Sequence, residues 1–165
     1  MYLDTAVFLN VIKREKGFWA PALQVLEAAH RGDIHLLLSM LVLAELAGVK
    51  GDVDPDEQDR VIDRYLLQNS AITWVDVDLS IAIDARAVAR ALPLRGGADA
   101  THLATAARHS ADYFMSNDNA FPYGTDYQHV RIRRPEVVWQ ETVDDVLIAT
   151  EASADSAAAT GDTDH

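Results

Sequence analysis

The stretch Gly96–Phe121, GGADATHLATAARHSADYFMSNDNAF, decides the fold, because it sets a helix and a strand between two carboxylates. After the paired glycines, Ala100, Leu103, Ala104 and Ala107 recur at helical spacing, which predicts a helix with Asp99 in its first turn and an end near Ser110. Asp112 to Ser116 is short, aromatic and apolar, the composition of a buried strand. Asn117-Asp118-Asn119 favours a turn, so Asp118 falls just past the strand end.

The same alternation extends outward. Met1 to Asp4 reads as a first strand, followed by a helix marked by Phe8, Leu9, Val11 and Ile12, with Asp4 at the junction. Trp19, Leu23, Leu26 and Ala29 predict a second helix that stops at Arg31-Gly32. Ile34 to Leu38 is the second strand, and Ser39 caps a helix over Met40 to Ala47, closed by Gly48, whose one charged residue is Glu45. Pro55 opens a helix with Val61, Ile62, Tyr65 and Leu66 on its apolar face and an Asp56–Arg60 pair across one turn. Ile72 to Val77 is a third strand, and Ile81, Ala85, Val88 and Leu92 define the next helix. His129 to Arg133 reads as a last edge strand. This order predicts an α/β fold, a three-layer α/β/α sandwich around a mainly parallel sheet of four to five strands.

At 165 residues and 49% hydrophobic content the chain suits one domain, placed at residues 1–139, with a C-terminal extension over 140–165 that reads as disordered from about Thr150. The absence of cysteine excludes disulfides, thiolate catalysis and cysteine-held metals. No apolar run approaches the roughly 20 residues of a membrane span, and no signal peptide opens the chain, so a soluble, cytoplasmic protein is expected. The net charge of −12 argues against broad binding of nucleic acid by counterion release, although four of the 26 acids lie in the last 15 residues.

Asp4 and Asp118 follow strands, Glu45 follows the second strand by about two helical turns, and Asp99 opens the helix before the fourth strand. In a parallel sheet ligands gather at the carboxyl edge of the strands, which Asp4, Glu45 and Asp118 reach directly and Asp99 reaches if its helix starts there. Three of them have ordinary alternatives: Asp4 as a helix cap, Asp99 as an acid favoured by the helix dipole, and Asp118 as a turn former. Glu45 does not, because its same-face neighbours Leu41, Val42, Gly48 and Val49 offer no basic partner. A buried, unpaired carboxylate is costly, and one explanation covers all four acids: a cluster of oxygen ligands for Mg²⁺ or Mn²⁺. His102, one turn from Asp99, reads as a packing or surface residue. Arg95, Arg131, Arg133 and Arg134 read as phosphate contacts or as a solvated charged face.

The segments MYLDTAVFLNVI, SMLVLAELAG and GADATHLATAARHSADYFMSNDNAF, in this order, resemble those of PIN-domain nucleases, in particular the small toxins of VapC-type toxin–antitoxin pairs. The resemblance spans about residues 1–139. It implies that Asp4, Glu45, Asp99 and Asp118 hold Mg²⁺ or Mn²⁺ and hydrolyse RNA phosphodiesters. It also implies Ser116 and Asn117 as possible substrate contacts, a homodimer, and an antitoxin helix held in a groove, with Leu9, Ile12, Trp19 and Leu43 as candidate surface residues. Some relatives carry a further acid where this chain has Ala120. An RNA-processing role without toxicity, and a non-catalytic α/β binding module, are the alternatives. A phospho-accepting receiver domain fits less well, since it places a lysine after its last strand and all three lysines here precede residue 51.

Overall fold

The computed structural model describes residues 1–47, 53–94 and 96–138. Strand β1 (Tyr2–Leu3) is fully buried and pairs in parallel with β2 (Leu36–Ser39) on one side and β4 (Tyr113–Met115) on the other. Strand β3 (Ile72–Val75) adds in parallel outside β2, and β6 (Val130–Arg133) adds in parallel outside β4. Hairpin strand β5 (Asp126–Tyr127) closes the sheet antiparallel to β6, giving the order β3-β2-β1-β4-β6-β5.

Side chains alternate across the pleat, so each central strand feeds two cores. Leu3, Leu36, Leu38 and Met115 pack with Phe8, Leu26 and Leu46 under helices α1 (Thr5–Ile12), α2 (Trp19–Arg31) and α3 (Leu41–Leu46). Tyr2, Phe114, Val130 and Ile132 face the opposite layer, helices α5 (Leu79–Ala91) and α6 (Gly97–Arg108), where Ile81, Val88, Leu103 and Ala104 meet them. Helix α4 (Pro55–Ile62) lies near α1 and runs into a π-helical turn, Asp63–Leu67, that buries Tyr65 and Leu66 in the first core.

Much of the expected layout holds, with informative differences. The sheet has six strands rather than four or five. β5 is only two residues long and is joined to β6 by Gln128-His129, too short for a period-two pattern to register. β6 is therefore an interior strand and not the edge. Arg60 pairs with Glu57 at 3.0 Å instead of Asp56, because Glu57 also receives Arg14 at 2.9 Å and is held between the two guanidinium groups. Ser39 ends β2, and Met40 takes the cap position of α3, but the Ser39 hydroxyl still accepts from the Leu41 amide at 3.1 Å. Gly32 closes α2 in the left-handed conformation, φ 82°, as its position implied. Gly48, Arg95 and the C-terminal extension expected over 140–165 lie outside the described residues.

Candidate active site

Because β1, β2 and β4 are parallel, their C-terminal ends share one edge, and the chain leaves each of them at a polar residue: Asp4, Ser39 and Ser116. Helix α6 returns the chain to the start of β4, so its own N-terminus, with Asp99 in the first turn, stands at that same edge.

Asp4 is buried at 5% exposure. It caps α1 by accepting from the Thr5 amide at 2.8 Å, and its other oxygen accepts from the Ser116 hydroxyl at 2.6 Å. Burial pushes its carboxyl above the usual range; the His102 ring and the hydrogen bonds from Ser116 and Thr5 work against that, and the charge of Glu45 adds to it. Capping and clustering are thus one arrangement and not alternatives.

Glu45 is half-buried and does find partners, from other elements. Thr5 Oγ1 donates to its Oε2 at 2.5 Å, and His102 Nε2 lies 2.8 Å from the same oxygen. Burial raises its pKa, but the hydrogen bonds from His102 and Thr5 outweigh this and hold the carboxyl below its ordinary value. The sequence signal was local, and helical neighbours at i±3 and i±4 could not reveal partners 40 and 57 residues away.

His102 is the packing residue of the two readings, and it makes polar contacts that its sequence position did not show. Its ring is 1% exposed, with Nδ1 2.7 Å from the Tyr2 hydroxyl and Nε2 3.9 Å from Asp4 Oδ1, in addition to Glu45. A buried phenol needs an acceptor for its proton, and Tyr2 already accepts the Ser39 amide at 3.2 Å. The network therefore assigns the Tyr2 proton to Nδ1 and a hydrogen on Nε2 toward Glu45. Helical spacing from Asp99 was the available signal for His102. Thr5 had none beyond being the lone hydroxyl in an apolar helix.

Asp99 is half-buried, and among the described residues no hydrogen bond to its carboxylate is present. Burial raises its pKa first, and the charges of Asp4, Asp118 and Glu45 raise it further against the opposing pull of His102. Asp118 is exposed; its carboxylate accepts the Ala120 amide at 2.8 Å, and its own amide donates to Ser116 Oγ at 2.9 Å. Ser116 is fully buried between Asp4 and Asp118, its hydroxyl donating to Asp4 and accepting from the Asp118 amide. Asn117 stays half-buried and donates to Asn10 at 2.6 Å. Among the described residues no three acid or histidine side chains stand at ligand spacing, and Glu45 is turned onto Thr5 and His102. The donor set is nevertheless one of hard oxygens with excess negative charge, and Asp99 is the member least compensated. That fits Mg²⁺ or Mn²⁺.

A family model for the PIN domain matches residues 1–123. The chain belongs to the PIN-domain family. No curated protein sequence matches it. Solved structures similar to this PIN domain include VapBC2 from Rickettsia felis bound to a DNA fragment of its promoter, at 16% identity and TM-score 0.56, covering 81% of this chain and 96% of that one. DNA-bound VapBC from Salmonella typhimurium is similar at 17% identity and TM-score 0.56, covering 84% and 97%. FitAcB from Neisseria gonorrhoeae is similar at 20% identity and TM-score 0.51, covering 81% and 96%. At these identities the likeness is one of fold, and it agrees with the six-stranded sheet of this PIN domain. No helix among its described residues is long and apolar enough to cross a membrane.

Proposed function

We propose that this PIN domain is a metal-dependent endoribonuclease that hydrolyses RNA phosphodiester bonds in the cytoplasm as the toxin of a type II toxin–antitoxin pair. The observation that carries the reading is geometric: Ser116 links Asp4 to the start of the Asp118 turn, His102 stands between Asp4 and Glu45, and helix α6 brings Asp99 to the same sheet edge, where burial and then the charges of Asp4, Asp118 and Glu45 raise its carboxyl. Family membership supports the same chemistry.

Asp4, Glu45, Asp99 and Asp118 would hold the Mg²⁺ or Mn²⁺. When bound, such an ion supplies Lewis acidity, lowering the pKa of water and neutralising charge on phosphate oxygens. The chain's own residues prepare the place. Ser116 and the Thr5 amide fix the orientation of Asp4, and burial keeps that carboxylate from rotating away. Thr5 and His102 hold Glu45 ionised, while Tyr2 fixes the tautomer of His102, the usual task of residues behind metal ligands.

Two partners belong to the proposal. An antitoxin helix would lie along the apolar grooves on either side of Trp19, one of about 380 Å³ lined by Val11, Leu23, Val61 and Tyr65 among others, the other of about 550 Å³ reaching Val137. Of the surface residues expected from sequence, Trp19 is 39% exposed and suits this role, Leu9 and Leu43 are half-buried, and Ile12 belongs to the core at 4%. A second copy of the chain would cover Met40, Val77, Leu79 and Ile83, exposed apolar residues beside the β2–β3 edge.

The test is cleavage of a labelled RNA pool with Mn²⁺ or Mg²⁺ by the wild type and Asp99→Asn, with EDTA as control. Cleavage by the wild type alone, abolished by EDTA, is expected. Equal cleavage by both proteins, or cleavage that persists in EDTA, would overturn the reading.

A further inference from the structure

A protein of net charge −12 needs a local reason to hold RNA, and one edge of the carboxylate cluster supplies it. Most described arginines are neutralised: Arg14 and Arg60 by Glu57, Arg31 by Asp33, Arg64 by Glu27, Arg108 by Asp84, Arg131 by Asp126 and Arg133 by Glu136. Arg134 has no acidic partner among the described residues, yet it is held in place. Its guanidinium lies 4.4 Å from the Tyr123 ring centroid and 5.8 Å from that of Phe18, and Nη2 donates to Asn119 Oδ1 at 2.8 Å. Tyr123 in turn donates its hydroxyl to the Asp118 carbonyl at 2.5 Å, so the cation stands one side chain away from the acids without pairing with them.

A cleft of about 210 Å³ is lined by Gly17, Phe18, Pro21, Asn117, Arg134 and Pro135. Its Gly17–Phe18 wall ends the Lys13–Phe18 loop, which carries two of the chain's three lysines, Lys13 and Lys16, both exposed and without an acidic partner among the described residues. Flat apolar faces beside a rigid guanidinium suit an unstacked base and its phosphate, which only a single strand presents.

We infer that Arg134, held against Tyr123, anchors a phosphate of single-stranded RNA next to the scissile one, while Phe18 flanks the adjoining base. The inference rests on the nuclease reading for its substrate class, but binding tests it without cleavage. Arg134→Gln is compared with wild type by anisotropy of a fluorescein-labelled single-stranded oligoribonucleotide in EDTA across a salt series, and by steady-state cleavage with Mn²⁺.

Arg134→Gln should weaken binding about tenfold and flatten the slope of log affinity against log salt by about 0.7, the value for one single-strand phosphate contact. In cleavage it should raise KM with little change in kcat. Arg134→Lys should restore the salt slope and only part of the affinity, because a point charge replaces the planar fork. Loss of binding with wild-type cleavage absent would leave the anchor standing while the nuclease reading fails. Unchanged affinity and slope in Arg134→Gln would overturn the anchor, as would a fall in kcat alone accompanied by a lower melting temperature, the mark of a residue that only braces the Asn119 turn. A duplex of the same sequence competing as well as the single strand would also overturn it.

Discussion

His102 serves Asp4, Glu45 and Tyr2 with one ring, and replacing it tests how far the acids depend on residues behind them. His102→Ala strands the Tyr2 proton and leaves Glu45 with Thr5 alone, so a loss of about 1–3 kcal/mol in stability is expected by chemical denaturation. Activity should fall by about 10- to 100-fold, the usual effect of removing a residue behind a metal ligand. Asp99→Asn should act oppositely on stability. The folded-state pKa of Asp99 is raised, so its contribution is fully present below the unfolded value and is lost as pH rises through the folded one. At neutral pH, without divalent ions, the wild type carries that penalty and the amide does not. The variant should therefore melt higher than wild type at pH 7, converge with it as pH falls toward the ordinary aspartate range, and lose cleavage throughout. A melting temperature at pH 7 below that of the wild type would contradict the strain inferred at this carboxylate. Residues of this kind were legible in part: the places of Asp4 and Asp118 after strands and of Asp99 at a helix start could be read from the sequence, whereas Thr5 and the true setting of His102 depend on contacts 40 to 100 residues away.

At the scale of elements, helices with strict apolar spacing were readable and short strands were not. Helix α5 buries Ile81, Ala85 and Val88 as its spacing required, while β5, two residues fixed by the Arg131–Asp126 pair and a tight turn, had no pattern to read. The π-helical turn after α4 was equally hidden, because one extra residue per turn is a response to packing and not to local propensity. That turn places the Tyr65 hydroxyl against Glu27 of α2, beside Arg64. The hydrogen bond from Tyr65 is the main cause that holds Glu27 below its ordinary pKa, and burial followed by Glu27 pushes Tyr65 up to about 12. The Glu27 contribution is present above the unfolded glutamate value and is lost as pH falls through the lower folded one. The Tyr65 contribution is full below the unfolded tyrosine value and is lost as pH rises toward 12. Tyr65→Phe should cost about 1–2 kcal/mol near neutral pH, and its melting temperature should approach that of the wild type at both extremes. A deficit independent of pH would show that Tyr65 acts through packing alone.

For the whole molecule, the sequence located the layers because both faces of the sheet are apolar, but it could not say which helix faces remain uncovered. Trp19 and Ile12 look alike in an apolar pattern, yet one rims a groove and the other fills the core. The same ambiguity hid the exposure of Met40, Val77, Leu79 and Ile83. Leu79 is 77% exposed and Ile83 58%, one turn apart on α5, an unusual outward pair on a helix whose other face is fully used by Ile81, Ala85 and Val88. If a second copy covers them, a charge introduced among them must be desolvated without a partner, a penalty that separates the copies but leaves the monomer's core untouched. Leu79→Glu should shift the protein from dimer to monomer at micromolar concentration, measured by sedimentation equilibrium. The wild type's melting temperature should rise with protein concentration, and that dependence should vanish in the variant. Circular dichroism should be unchanged between them, because Leu79 contributes little to the core. A wild type that sediments as a monomer, or a Leu79→Glu variant that remains dimeric, would show that this patch is not where two copies meet.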